Sequence, residues 1–361
     1  MPLNKDTLLN SVLAASGGKL VIKYNVNGDP SVMVRIPRFN LEDIDPSLGN
    51  GPHPAFVVNG VVKSEIYIGA YQAILEKNCA ISVPGQSPRV NINFDNAKAA
   101  CVANGPGWHL MTAWEWAAVA LWCMKNGFQP RGNTNYLKAY EAPWETGTPA
   151  PDNPTAKTLG GSGPVSWRHD GTLAGIADLV GNVWEWNDGL KIVDGQIYVP
   201  GDNNYTLAES DWPATGVFFD ASAGSGDRSG AADSGDPILS NAVSKYSETP
   251  TPPGGGDTGD FDYAYQGSWA SMAVSTGFNG LTDAVKKKMA QLLIAPKLAS
   301  SGSAIFSDIK GGVWVRNYGV RVPLRGGAWN DASGAGLGAL GLYYLRALVS
   351  STVGLRPAFI L

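Results

Sequence analysis

The segment from Arg325 to Leu361 constrains the fold most, because a stiff frame stands at each of its ends. Arg325-Gly326-Gly327 with Trp329 opens it, and Gly354-Leu355-Arg356-Pro357 closes it. Two glycines beside an arginine let the backbone turn sharply and approach another strand closely. Between the frames Gly, Ala, Ser, Asp, Tyr and Leu follow one another with no helical or strand repeat. Tyr343 and Tyr344 add large contact area at low entropy cost among small, adaptable neighbours, the composition of a paratope. After Gly326 there is no His, Cys, Lys or Glu, which is a poor set for a catalytic centre.

A chain of 361 residues supports one large core or two ordinary domains. Only 16% of residues are charged, while Gly numbers 45 and Trp 12, which describes a loop-rich fold that buries tryptophans. A formal charge of -4 with no basic stripe gives no electrostatic case for nucleic acid or an anionic membrane. Cys79, Cys101 and Cys123 are an odd set without close metal spacing and read as buried, reduced thiols. The N-terminus lacks an uninterrupted apolar stretch, so no secretory signal is expected and synthesis is placed in the cytoplasm. Ala335 to Val349 is interrupted by Arg346 and too short to span a bilayer, so no membrane insertion is expected.

Lys5 to Ala15 is patterned as a helix and Lys19 to Tyr24 as a strand, and residues 1–30 read as an attachment element or an edge element. Val32 to Phe39 and Glu65 to Tyr71 are further strands. Phe94 to Cys101 begins a helix with Asp95 as its expected cap. The clearest helix is Gly107 to Lys125, where Thr112 and Glu115 have capping-box spacing. Residues 126–165 read as ordered loop, and in Ile176 to Leu190 the alternation of Trp184 and Trp186 around Glu185 puts both indoles on one face. Residues from about 191 to 318 read as an insertion in one domain, with Gly/Ser/Asp/Pro-rich runs at Ala221 to Gly235 and Thr249 to Asp260. Within it, Thr282 to Leu293 is patterned as a helix, and no 20–50-residue repeat is present.

Four segments together resemble a known superfamily. GWHLMTAWEWAA, GNVWEW (Gly181 to Trp186), RGGAW (Arg325 to Trp329) and GLRPA (Gly354 to Ala358) are similar, in order and spacing, to motifs of formylglycine-generating enzyme-like, sulfatase-modifying factor domains. The resemblance covers Val32 to Leu361 and implies an α+β, C-type lectin-like fold of that type, with long loops and an insertion. Within the superfamily the tail more closely resembles the variable proteins of diversity-generating retroelements, of which phage tropism determinants are the best-known group. That likeness implies a diversified, ligand-binding set: Ala328, Asn330, Asp331, Gly334, Gly338, Gly341, Tyr343, Tyr344, Leu348, Ser350 and Thr352. Rewriting the adenines of an AAC codon never yields Lys, Glu, Gln or Met, and none of these follows Arg325.

The expected function is therefore a non-catalytic receptor-binding protein of a phage or prophage tail tip, carried on the virion. Its partner would be a host-surface receptor, protein or glycan, and multiple copies, by self-association or virion attachment, would supply avidity. The alternative is a metal-dependent oxidoreductase of the formylglycine-generating type. That chemistry needs a cysteine pair close after the RGG motif, and Ala328 to Leu345 holds none. His53, His109 and His169 are scattered without facial-triad spacing. A cellular binder of the same fold is the third reading. Glu185 with Asn182, Asn187 and Asp188 offers oxygen ligands for Ca²⁺, against the expectation that Glu185 accepts Arg or backbone hydrogen bonds; no other cofactor is expected. Arg325 and Arg356 read as framework residues paired with buried carboxylates, and Trp184, Trp186 and Trp329 as core.

Overall fold

The computed structural model describes residues 5–221, 237–242, 264–268, 281–294, 306, 308–316 and 319–361. It is mixed α+β and mostly sheet, with few helices among the described residues. An antiparallel five-stranded sheet runs in the order Leu20–Tyr24, Pro30–Pro37, Glu65–Gly69, Pro357–Phe359, Trp108–Leu110. A mixed six-stranded sheet runs Ala264–Ser268, Gly312–Arg316, Gly336–Leu342, Leu324–Gly326, Trp184–Trp186, Val353–Leu355. The chain's last strands therefore lie in two different sheets, Val353–Leu355 in one and Pro357–Phe359 in the other, and Arg356 is the joint between them.

Helix Ala113–Lys125 begins where the capping box predicts. The Thr112 hydroxyl accepts from the Glu115 amide at 3.1 Å, and the Glu115 carboxylate accepts from the Thr112 amide at 2.9 Å. The expected start at Gly107 is corrected, because Trp108–Leu110 is recruited as an edge strand against Pro357–Phe359. Trp114, Trp116, Val119, Ala120 and Cys123 are all buried, so this helix is core on nearly every side instead of along one stripe. The preceding helix, Phe94–Val102, is capped by Asn93 and not by Asp95, since Asn93 accepts from the Asn96 amide at 2.9 Å.

The N-terminal helix Lys5–Ala15 leads into Leu20–Tyr24, which is an edge strand. Residues 126–165 contain a short hairpin, Pro149–Ala150 with Asn153–Thr158, that the absence of apolar alternation concealed. Within the expected insertion, Lys191–Val193, Gln196–Tyr198, Ala214–Ala221 and Pro237–Ser240 form a further antiparallel sheet closed by Val320–Arg321. Helix Asp283–Gln291 follows its Thr282 cap. The Gly/Ser/Asp/Pro-rich runs lie outside the described residues, apart from Ala221. Among the described residues, no helix is long and apolar enough to cross a membrane.

Candidate functional site

The frame of the C-terminal segment is built from buried arginines. Strand Trp184–Trp186 turns Glu185 away from the two indoles and into the joint between the sheets, where Arg356 meets it. Both side chains are essentially without solvent contact. Arg356 Nε donates to Glu185 Oε2 at 2.8 Å and Nη2 to Oε1 at 2.6 Å. Its remaining donors go to backbone carbonyls, Nη1 to Gly69 at 2.8 Å and Nη2 to Ala177 at 3.0 Å. Gln72 Nε2 adds a further donor to Glu185 Oε1 at 3.1 Å. A bidentate, fully hydrogen-bonded pair of this kind fixes geometry as well as charge.

Arg325 is a correction to the expectation of carboxylate pairing. Its Nη2 donates to the carbonyls of Leu293 and Leu292 at 3.1 and 3.3 Å, while Nε and Nη1 find no partner among the described residues. Burial without a counter-charge pulls its pKa down to about 9, so the guanidinium stays charged at neutral pH. Helix Asp283–Gln291, which ends just before these two carbonyls, thus tethers itself to the RGG turn. Gly326 is required there. Its φ of +89° is left-handed, and a Cβ would lie 2.4 Å from the Leu179 carbonyl oxygen.

Residues 327–335 form a tight turn held by its own Asp331, whose Oδ2 accepts from the Ala328 amide at 2.7 Å. Burial raises the Asp331 carboxyl pKa, against the stabilising bonds from the Ala328 amide and the Trp184 indole. The chain then enters strand Gly336–Leu342, which is buried throughout between Gly312–Arg316 and Leu324–Gly326. It re-emerges at Tyr343. The Tyr343 ring covers the Arg316 guanidinium, whose carbon lies 3.4 Å from the ring centroid. Tyr344 stands edge-on to it with centroids 5.0 Å apart and is 38% exposed. Arg346 clamps the following loop, with Nε donating to Asp95 Oδ2 at 3.1 Å and Nη1 to Glu209 Oε2 at 3.0 Å. The loop closes with Ser350 and Thr352 hydroxyls 2.9 Å apart and the Thr352 carbonyl accepting from the Trp184 amide at 2.8 Å.

Two solvent-facing stretches result, 330–334 and 343–352. Of the residues singled out in the sequence, Asn330 and Tyr344 are exposed, and Asp331, Gly334, Tyr343, Leu348, Ser350 and Thr352 are half-buried. Ala328, Gly338 and Gly341 are buried, contrary to a free display of all eleven positions. The reason is register. Gly338 and Gly341 belong to an interior strand, and Ala328 is folded under the Asp331 turn.

Gly341 has a different part to play. It pairs directly with Trp314, and beside it Trp184 and Trp314 meet edge to face with centroids 5.6 Å apart. Both rings are only partly buried, which corrects the expectation of Trp184 as core; Trp186 and Trp329 are buried as expected. Trp184 and Leu348 pack against the same apolar cluster, so this aromatic floor continues into the 343–352 loop. The Val313-Trp314-Val315-Arg316 alternation carried a signal for Trp314, with the valines inward and Trp314 and Arg316 on the Tyr343 side.

Of the polar groups near GNVWEW, Asn187 Oδ1 is buried with no hydrogen-bond partner among the described residues, and Glu185, Asn182 and Asp188 are used by the fold. Both Glu185 oxygens face Arg356, the Asn182 Oδ1 accepts from the Thr158 amide at 2.9 Å, and Asp188 pairs with Lys98 at 2.9 Å. A guanidinium occupies the place a cation would need, so these residues do not fit calcium. No group of three or more His, Cys, Asp or Glu among the described residues is arranged to hold a metal. His109 bridges Gly107 and Glu115 and stacks on Tyr205 at 3.9 Å, a structural position. Cys79, Cys101 and Cys123 are free and buried, and burial raises the thiol pKa of Cys101 and Cys123.

No protein-family model matches the chain, and no curated protein does. Among solved structures the chain is similar to Treponema denticola variable protein 1, with 13% sequence identity and a TM-score of 0.33, over 94% of this chain and 99% of that one.

Proposed function

We propose that this protein is a non-catalytic ligand-recognition protein on a C-type lectin-like scaffold, and that its C-terminal segment presents a diversified binding surface. The observation that carries the reading is the division of that segment. Dry, hydrogen-bonded Arg356 and Glu185 hold the backbone, while 330–334 and 343–352 reach solvent beside the partly open rings of Trp184, Trp314 and Tyr344. Aromatic anchors among small polar residues are the usual centre of a binding patch. The diversified positions are the eleven that match variable-protein tails, with Asn330, Asp331, Gly334, Tyr343, Tyr344, Leu348, Ser350 and Thr352 in direct reach of a ligand. The setting we favour is a phage or prophage tail tip binding a host-surface protein or glycan, where many copies convert weak single contacts into avidity.

A library randomised at Asn330, Tyr344, Leu348, Ser350 and Thr352 tests this. Most members should retain the parental melting temperature within a few degrees, and panning should yield target-specific binders. Loss of folding across the library would overturn the reading. For the natural receptor, Tyr344→Ala should weaken binding to host cells by about tenfold or more, measured by cell-surface titration.

A further inference from the structure

The N-terminal sheet and helix Ala113–Lys125 enclose a cavity of about 410 Å³ that the recognition surface does not use. Its apolar wall comes from Val34 and Ile36 on strand Pro30–Pro37, Val119 and Trp122 on the helix, and Phe39. Cavities of roughly 300–1,000 Å³ with apolar walls and a few convergent polar groups are the usual form of small-molecule sites.

The ionisable groups in the wall give the cavity a sign. Lys19, Arg35 and Arg38 face a single carboxylate, Asp170. That carboxylate is already satisfied, by Lys19 Nζ at 3.0 Å and by the amide and hydroxyl of Thr172 at 3.0 and 2.9 Å. Arg35 is engaged by Glu65. Arg38 is exposed, and its guanidinium has no hydrogen-bond partner among the described residues. His169, only 5% exposed, supplies a second open donor. Its Nδ1 accepts from the Ile176 amide at 2.8 Å, which leaves the ring proton on Nε2, and Nε2 has no hydrogen-bond partner among the described residues. Burial lowers the His169 pKa to about 4, so at neutral pH this donor is an uncharged N–H.

We propose that this cavity is a binding site for a small apolar molecule carrying one carboxylate. The apolar body lies against Val34, Ile36, Val119 and Trp122, and the carboxylate is met by Arg38 at the rim and by the Nε2–H of His169 in the wall. A ligand cation would face Arg38, a wall cation that no carboxylate among the described residues neutralises, and a ligand without an acceptor would leave the His169 donor unsatisfied. The inference is independent of the recognition surface.

Isothermal titration of the full chain with octanoate and with octanamide, which share one apolar tail, tests it. Octanoate should bind saturably at one site, about tenfold or more tighter than octanamide, because a charged acceptor strengthens both hydrogen bonds. Arg38→Gln should erase that preference without moving the melting temperature, and Ile36→Phe should weaken both ligands by filling the wall. No saturable binding, equal affinity for the two ligands, or an unchanged preference in Arg38→Gln would overturn the proposal. Should Ile36→Phe not fold, Arg38→Gln decides by itself.

Discussion

Two arginines in one C-terminal segment are held in opposite ways. Arg356 is sealed between sheets, with its donors divided between Glu185 and backbone carbonyls. Arg346 sits about a third exposed and clips its loop to two carboxylates on other elements, Asp95 and Glu209. The first arrangement fixes the path of the chain, since neither partner has water to fall back on. The second holds a loop in place while leaving its neighbours free to change. In the function proposed above, this contrast is what lets the C-terminal segment combine a stiff backbone with replaceable side chains.

The largest effect should come from the buried pair. Arg356→Met leaves Glu185 dry and unpaired, and should cost about 3–5 kcal/mol in urea unfolding, enough to abolish folding in many backgrounds. A loss below about 1 kcal/mol would mean that water reaches the pair, and the contrast with Arg346 would collapse. The next effect concerns the buried imidazoles. His53 and His169 both fall from 6.5 to about 4, chiefly through burial. An unfolded imidazole takes a proton as pH drops through 6.5, whereas these stay neutral to about 4. Their contribution to stability is thus present above 6.5 and declines as pH falls towards 4, on the order of 3 kcal/mol for each. Asp178, Asp188 and Asp331, whose pKa values are raised by burial, act in the opposite sense. The histidine share is therefore read as the shallower pH slope of a His53→Gln variant relative to the parent.

Tyr343 and Tyr344 sharpen the comparison within two adjacent residues. Tyr343→Ala uncovers Arg316 and should cost about 1–2 kcal/mol, while Tyr344→Ala should stay within about 0.5 kcal/mol. Equal losses would show that both are core or both are display. The smallest effect is expected at the clip. Arg346→Ala breaks partly solvated ion pairs and should cost about 0.5–1 kcal/mol, with hydrogen exchange rising in 343–352 and not in Gly336–Leu342.

Much of the frame was legible in the sequence. The Thr112 and Glu115 spacing placed a helix start, and the Trp184–Trp186 alternation put Glu185 on the side where Arg356 finds it. Capping and alternation are local, so the sequence carries them directly. Asn93 took the cap expected of Asp95 because a shift of two residues changes which side chain reaches the free amides. Residues 108–110 became a strand because Pro357–Phe359 offers them an open edge, a partner almost 250 residues away.

By itself the chain determined that its end is a fixed frame around a loosely patterned interior, since the glycines and the arginines beside them are written residue by residue. Only the tertiary structure decided which interior positions meet solvent. Burying Gly336–Leu342 between two strands removes Gly338 and Gly341 from the surface, while Trp184 and Trp314 come together beside that strand and stay partly open. Exposure depends on what packs above a residue, and that is set by strands far away in the chain.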